Sequence, residues 1–564
     1  TINDVQNLPN QCKNGYIVQV TNALRADEDD YYLKFTGQND KDGSGSWIEC
    51  ARPDIPMVLT NMPLIIQRTT TANQFIVKPF AYENRRVGDE LTNPLPSFIK
   101  TSDGQPKTAT SNNTFVGRIN KVLFFRNRLA FLSGENVILS RPGTIDKPDF
   151  FAETALTVSA SDPIDISAAS TFPSELFDGI DINTGLLVFS TNQQFLLSSD
   201  DTVLNPDTAK LRSVSTFNYN EAIPPISLGT TVAYVDNSGK FSRFNEMANI
   251  RREGEPNVVE VSKIVPTLLP KDIDLLTNSR ENSMVLLGKT NSDTVFGYKY
   301  FQVSDKRQQA AWFKWKFNNP LLYHFIINDE YYFLDTDHYL QCIKLVQTES
   351  EPSITQDNVN YLLHVDNYTD ISGGSFNSTT NTTTFSNVGW LSSVTTPNHD
   401  LVIVDTNTNA ARLGRYGKPT VSGTTLTVTG NWSGATLKIG YIYPYEVKFP
   451  TFYPTKQSGN STTADVNSSL ILHRLKLHFG KIGLYKTTLK RVGKVDYSEI
   501  YESTTLNEYD VSDAPYVEEF IKTVPVYERN INVDVVLESS HPAPATLRSV
   551  SWEGDYTPRF YQRV

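Results

Sequence analysis

Cysteine, methionine and histidine are scarce, with 3, 4 and 7 copies in 564 residues. Cys12, Cys50 and Cys342 are too few and too scattered for a disulfide framework or a structural zinc site. They read as reduced thiols of a protein folded in a cytosol-like compartment. No stretch approaches 18 apolar residues, so no membrane-spanning helix is predicted. The opening TINDVQNLPN lacks a basic-then-apolar leader, which predicts no signal peptide. It also lacks an initiator Met, so processing or an upstream segment is expected. HExxH and GxSxG are both missing, and with them two common routes to hydrolysis. Basic residues are in deficit, 51 Lys and Arg against 62 Asp and Glu, for a net charge of −11. That balance argues against a general grip on nucleic acid through phosphate neutralisation.

Hydrophobic residues make up 39% and charged residues 20%, enough apolar content to bury a core. The length gives a prior of about three to four domains. The 27 Tyr and 30 Phe, with recurrent Asn, Ser and Thr, favour strands and turns over helices. Apolar runs flanking polar turns recur from about residues 123, 186, 232, 285 and 325, as in LFFRNRLAFL, LLVFSTNQQFLLSS and FIINDEYYFLDTDHYLQCIKL. Spacings of 63, 46, 53 and 40 residues lie near the period of four-stranded propeller blades. A two-sheet sandwich would make similar hairpins. The uninterrupted succession favours an all-β fold with a β-propeller core and additional lateral and C-terminal β domains. The expected division is a lateral β domain over 1–105 and blades over 106–348. A Thr/Asn/Ser-rich acidic β insertion follows over 349–448, then a C-terminal β unit over 449–564 that completes the propeller or the assembly it belongs to. In that last unit Leu547, Val550 and Trp552 are expected core anchors.

Charge is unevenly placed. Residues 148–209 hold 10 acids and no Lys or Arg, and residues 345–411 hold 7 acids and none. Together they carry −17, leaving +6 for the rest. The blocks read either as solvated acidic surface or as a wall that repels polyanions, such as a conduit for DNA. Asp162, Asp165, Asp178, Asp181, Asp200 and Asp201 are the candidate lumen-facing acids. Conversely, His473–Lys494 has seven bases and no acid. In LILHRLKLHF, period-two alternation puts Arg474 and Lys476 on one strand face. This face is solvated or meets an acidic neighbouring subunit, and Arg474, Lys476, Lys490 and Arg491 are the candidate subunit-contact bases.

Other motifs are weaker. Leu287-Gly288-Lys289-Thr290 lacks the upstream glycine of a phosphate loop and reads as a hairpin turn. Asp40, Asp42, Ser44 and Gly45 open like a calcium loop, but the closing position is Ala51, so a turn is expected. Asp335, Asp337 and His338 sit between two apolar runs, where a turn needs polar residues. Asp162 and Asp165 in SDPID would suit a carboxylate pair for glycoside hydrolysis, or a turn. No catalytic, metal or cofactor site is assigned.

The segment Phe124–Arg141, FFRNRLAFLSGENVILSR, resembles the signature of the nozzle proteins (tail tubular protein B) of T7-like short-tailed bacteriophages. Asn14–Val18, Tyr31–Phe35, Asp162–Asp165, Phe195–Leu197, Trp312–Trp315 and Trp552–Tyr556 match in the same order, loosely between about 349 and 448. The resemblance implies a β-rich, non-enzymatic subunit with a propeller. Six copies would form the distal tail tube of the virion, below an adaptor ring of tail tubular protein A and near the tail fibres. Assembled in the host cytoplasm, the tube would retain phage double-stranded DNA and then pass it through the host envelope. Family members carry an N-terminal region ahead of Asn14, so adaptor contacts are expected outside this sequence. Two alternatives are a carbohydrate-active propeller using Asp162 and Asp165, and a receptor-binding module using Asn377–Thr384.

Overall fold

The computed structural model describes residues 1–21, 31–53, 63–90, 92–99, 118–143, 147–155, 157–170, 172–199, 203–251, 254–303, 306–345, 353–356, 359–393, 400–406, 415–458, 461–501 and 519–558. Its regular elements are strands and short 3-10 turns. The chain divides into two units, Thr1–Val346 and Gln347–Val564.

The first unit contains five consecutive antiparallel meanders. The first comprises Ile119–Phe125, Arg128–Ser133, Asn136–Leu139 and Ile164–Ser167. The second comprises Leu176–Ile182, Gly185–Ser190, Gln194–Ser199 and Ala209–Ser215. The third is Ile226–Ser227, Val232–Asp236, Arg243–Ala248 and Asn257–Glu260; the fourth is Leu275–Ser279, Met284–Gly288, Thr294–Val303 and Lys306–Lys316. The fifth has three strands, Leu321–Ile327, Glu330–Asp335 and Leu340–Lys344. Each expected hairpin falls in its own meander. In the two-residue turn Arg126-Asn127 φ is 44° and 62°, the left-handed pair of a type I′ hairpin loop.

Successive sheets pack face to face. Leu132 and Val137 of the first share a core with Val188 and Phe195 of the second. Leu187 and Phe189 of the second meet Val232 and Tyr234 of the third. Val235 and Phe244 meet Val285 and Tyr298 of the fourth, whose Met284 and Leu286 meet Tyr331 and Phe333 of the fifth. Alternate residues of one strand thus serve two neighbours, which is why GLLVFS and QFLLSS are buried along their whole length. This is blade packing of the propeller type.

The other face of the first sheet, with Phe131 and Ile138, lies under Tyr82, Leu95, Phe98 and Ile99. The segment from Phe80 to Ile99 therefore belongs to the propeller core, not to the lateral domain expected to reach residue 105. What stands apart is a four-stranded sheet of Gln11–Cys12, Gly43–Cys50, Tyr31–Gly37 and Ile17–Val20, and a ribbon pairing Leu64–Arg68 with Phe75–Pro79.

The second unit holds two sandwiches. In the first, the sheet of Asp366–Ile371, Leu437–Tyr441, Leu401–Asp405 and Tyr416–Gly417 faces that of Ser375–Asn377, Thr382–Phe385, Thr425–Thr429 and Thr420–Ser422. They enclose Phe385, Ile403, Leu426, Trp432 and Ile439, so the Thr/Asn/Ser-rich text builds a short-stranded domain with its own core. The Thr383 hydroxyl, fully buried, donates to the Gly430 carbonyl at 2.7 Å and accepts from the Trp432 N–H at 2.9 Å.

In the C-terminal sandwich, Ser469–Ile482 lies between Phe520–Arg529 and Ala545–Thr557. The facing sheet is Tyr445–Lys448, Val533–Ser539, Tyr485–Arg491 and Tyr497–Tyr501. Leu547, Val550 and Trp552 pack partly buried against this core. The unit buries its apolar face against its own second sheet, and Tyr445–Lys448, inside the range expected for the insertion, joins that sheet.

Candidate functional site

The base-free segment 148–209 folds as the end of the first blade and most of the second. Its carboxylates are less free than the charge count implies. Asp149 is buried, with Arg86 at 3.4 Å and Arg141 at 3.5 Å, and Arg141 also binds Glu153 at 2.8 Å. Burial raises the Asp149 pKa, and those two guanidiniums and the Phe151 N–H partly oppose the rise.

Asp162 is 4% exposed, and its two oxygens accept the Glu153 N–H at 3.1 Å and the Ser159 N–H at 2.7 Å. Asp178, also buried, binds Lys121 at 2.6 Å; burial raises its pKa while Lys121 pulls it down. Both carboxylates are enclosed and bonded within the fold, so neither is a free acid on the surface of the chain. Enclosed acids need internal donors or cations, and the fold supplies both.

Asp165 is exposed and accepts from the Ser97 N–H at 2.8 Å and the Asn136 amide at 2.8 Å, and among the described residues it is in no ion pair. Asp181 is exposed on the first strand of the second blade; burial raises its pKa, opposed by Arg126. Asp207, which the sequence reading passed over, is exposed as well. Asp200 and Asp201 lie outside the described residues.

The second base-free segment repeats the pattern. Asp370 binds Lys438 at 2.8 Å and Asp400 binds Lys418 at 2.9 Å, both lysines coming from beyond the segment. Asp366 is different: burial pushes its pKa up to about 6.

The basic strand face finds acids on its own neighbours. Arg474 contacts Glu553 at 3.2 Å, and Lys476 donates to the same carboxylate. Lys486 binds Glu538 at 3.1 Å. Arg474 and Lys476, candidates for contact with a neighbouring subunit, are thus paired within the chain by the antiparallel C-terminal strand. Lys490 is exposed, and Arg491 donates to the Val495 carbonyl at 2.9 Å.

The motifs weighed for chemistry are turns. Thr290 N–H donates to Asp274 at 2.7 Å, and Asn14 N–H donates to Asp42 at 2.8 Å. Asp335 accepts the Tyr339 N–H at 2.8 Å, and Asp337 the Asn319 amide at 2.8 Å. Among the described residues no group of three or more metal-ligating side chains converges. Asp162 and Asp165 are both occupied by donors within the fold, so neither stands ready as a glycosidase acid or base.

One central residue escaped the sequence reading. Arg128, 3% exposed, donates to the carbonyls of Ser140 at 2.9 Å, Asp162 at 2.6 Å, Ala160 at 2.9 Å and Leu204 at 3.4 Å. It ties the first hairpin to the SDPID turn and to the connection between the last two strands of the second blade. A cavity of about 390 Å³ beside it is lined by Arg126, Pro142, Ser161 and Val203. Its signal was the position inside FFRNRLAFL, where an arginine interrupts an apolar run.

The model of the family described as bacteriophage nozzle protein matches residues 1–563. The chain is 23% identical over 490 residues to tail tubular protein gp12 of Escherichia phage T7, an alignment covering 85% of this chain and 58% of that protein. The chain therefore spans less than two thirds of that relative's length. Among solved structures, Hsv2 of Kluyveromyces lactis matches at 10% identity over 57% of this chain and 88% of its own, with a TM-score of 0.27. Sqt1 of Saccharomyces cerevisiae matches at 9% identity over 71% of this chain and 90% of its own, also with a TM-score of 0.27. From residue 1 to residue 563, the chain belongs to the bacteriophage nozzle protein family.

Proposed function

We propose that this chain is a non-enzymatic structural subunit of the tail tube of a short-tailed phage. The observation that carries the reading is the family match along residues 1–563. Six copies surround an axial channel at the distal end of the virion tail. The tube joins the adaptor ring above and lies near the tail fibres. It assembles in the host cytoplasm, helps retain the genome, and conducts double-stranded DNA through the host envelope without reading its sequence.

The channel wall is acidic where DNA passes, and Asp165 and Asp181 contribute to it together with Asp200 and Asp201. Unneutralised carboxylates repel phosphates, so DNA slides without pairing to the wall. Lys490 and Arg491 remain available for contacts between subunits. Electron cryomicroscopy of tails carrying the chain tests the reading. A six-fold ring with an open axis at the end remote from the capsid is expected. Absence from the tail, or a ring without a channel, would overturn it.

A further inference from the structure

Within the first unit, described residues cover one end of the five-sheet stack and leave the other uncovered. Phe98, Ile99 and Phe150 cover the first sheet's outer face. On the fifth sheet, Tyr331, Phe333 and Ile343 face the fourth, and alternate residues form the opposite face. Register aligns Tyr323, Leu334 and Leu340 in one row and Phe325, Tyr332 and Cys342 in the next. Phe325 stacks on Tyr332 with centroids 5.4 Å apart, while Tyr323 and Leu340 are 57% and 59% exposed. The terminal member of a stacked array normally carries a polar outer face or a cap. This face is apolar over those two rows, and the next row, Ile327, Glu330 and Lys344, adds one acid and one base at its edge.

The first unit carries a second bare apolar surface. In the ribbon, Ile66 pairs with Val77 and Arg68 with Phe75, while Leu64 lies two residues from Ile66 on the same face. Leu64, Ile66, Phe75 and Val77 are each at least 60% exposed. A two-stranded ribbon is at best marginally stable alone in water, and an exposed apolar patch marks an interaction site. Charge distinguishes the two surfaces. Residues 64–79 contain Arg68 and Lys78 and no acid. The fifth sheet is flanked by exposed Asp329 and Asp337, which are bonded to the neutral amides of Asn282 and Asn319.

We propose that the ribbon of one copy lies on the outer face of the fifth sheet of the next, joining copies head to tail. Two different surfaces on each chain give a heterologous contact, the kind that closes into rings. The proposal rests on the self-assembling tube reading and names the surfaces that reading requires.

The test joins Ile66→Cys to native Cys342, both exposed, with a bismaleimide cross-linker on the purified full chain. Denaturing gels should show a ladder of covalent multimers that disappears in the Ile66→Cys/Cys342→Ser control. Adding Arg68→Glu to Ile66→Cys should lower the yield about tenfold. Multimers by light scattering without a ladder would overturn this contact and leave the tube reading standing. A link confined to the monomer would overturn it too, by showing the ribbon seated on its own chain. A strictly monomeric protein at every concentration would overturn both.

Discussion

Arg307 forks across Glu246, its two terminal nitrogens donating to the two carboxylate oxygens at 2.6 and 3.0 Å. The pair fastens the long hairpin of the fourth blade to a central strand of the third. The guanidinium also lies over Tyr300, 4.8 Å from the ring centroid, and Thr231 donates to Glu246 at 2.7 Å.

Removing one partner should therefore cost more than removing both. Glu246→Ala leaves a partly enclosed cation without its acid, and the loss expected is about 2 kcal/mol, reduced from the fully buried range because Arg307 is partly solvated. Glu246→Leu/Arg307→Met should lose less than the sum of the single changes. Urea unfolding followed by tryptophan fluorescence can read this, because Trp312 lies 4.9 Å from Tyr298 beside the pair. Strict additivity would show that the two side chains do not act together.

Arg128 should tolerate no replacement, including lysine. Its planar fork meets four carbonyls from three segments, and an ammonium cannot span them. Arg128→Lys should cost about 3 kcal/mol, with carbonyls left unpaired in a closed site. Limited proteolysis should then cut first near residues 157–162, the segment released. Unchanged protease resistance would refute the pinning role.

His324 makes the propeller unit sensitive to acid. Its Nδ1 lies 3.0 Å from the Tyr331 hydroxyl, and burial lowers its pKa to about 4, only partly opposed by Asp274. The unfolded chain takes up this proton near pH 6.5, before the folded chain does. Stability is then fully present above about pH 6.5 and falls as pH drops toward 4, by about 3 kcal/mol from this group. His324→Phe loses the tyrosine partner but also removes the titration, so its stability should change less between pH 7 and 4. Parallel pH profiles of both proteins would exclude His324 as the source. In the second unit, His541 is likewise lowered to about 4, while Asp366, raised to about 6, contributes with the opposite sign.

The blades were legible because their information is local. Runs such as GLLVFS and turns such as Arg126-Asn127 specify hairpins within a few residues, and repetition specifies the stack. The charge pattern showed only half of the electrostatics, because its compensation is distant. Lys121 lies 57 residues from Asp178, and Arg86 lies 63 from Asp149. Glu553 lies 77 residues from Lys476. Period two placed Arg474 and Lys476 on one face, but only strand register named the acid opposite. The C-terminal sandwich was hidden for the same reason, since Tyr445–Lys448 pairs with Val533–Ser539 across the intervening strands.

Passage of DNA can be tested through the acids the fold leaves unneutralised. Asp181 and Asp207 are exposed on or beside the second blade, and neither is in an ion pair among the described residues. If they face the channel, Asp181→Lys/Asp207→Lys adds phosphate contacts where repulsion was, and genome release should slow. The effect must depend on salt, because each phosphate contact displaces counterions. Two contacts per chain lose about tenfold in affinity between 50 and 200 mM salt. Time-resolved release of DNA from purified virions, triggered in vitro, should show the variant lagging at low salt and recovering at high salt. A charge-neutral Asp181→Asn/Asp207→Asn variant should fall between wild type and the lysine variant. Release rates that match wild type at every salt concentration would place these two carboxylates away from the path of the DNA.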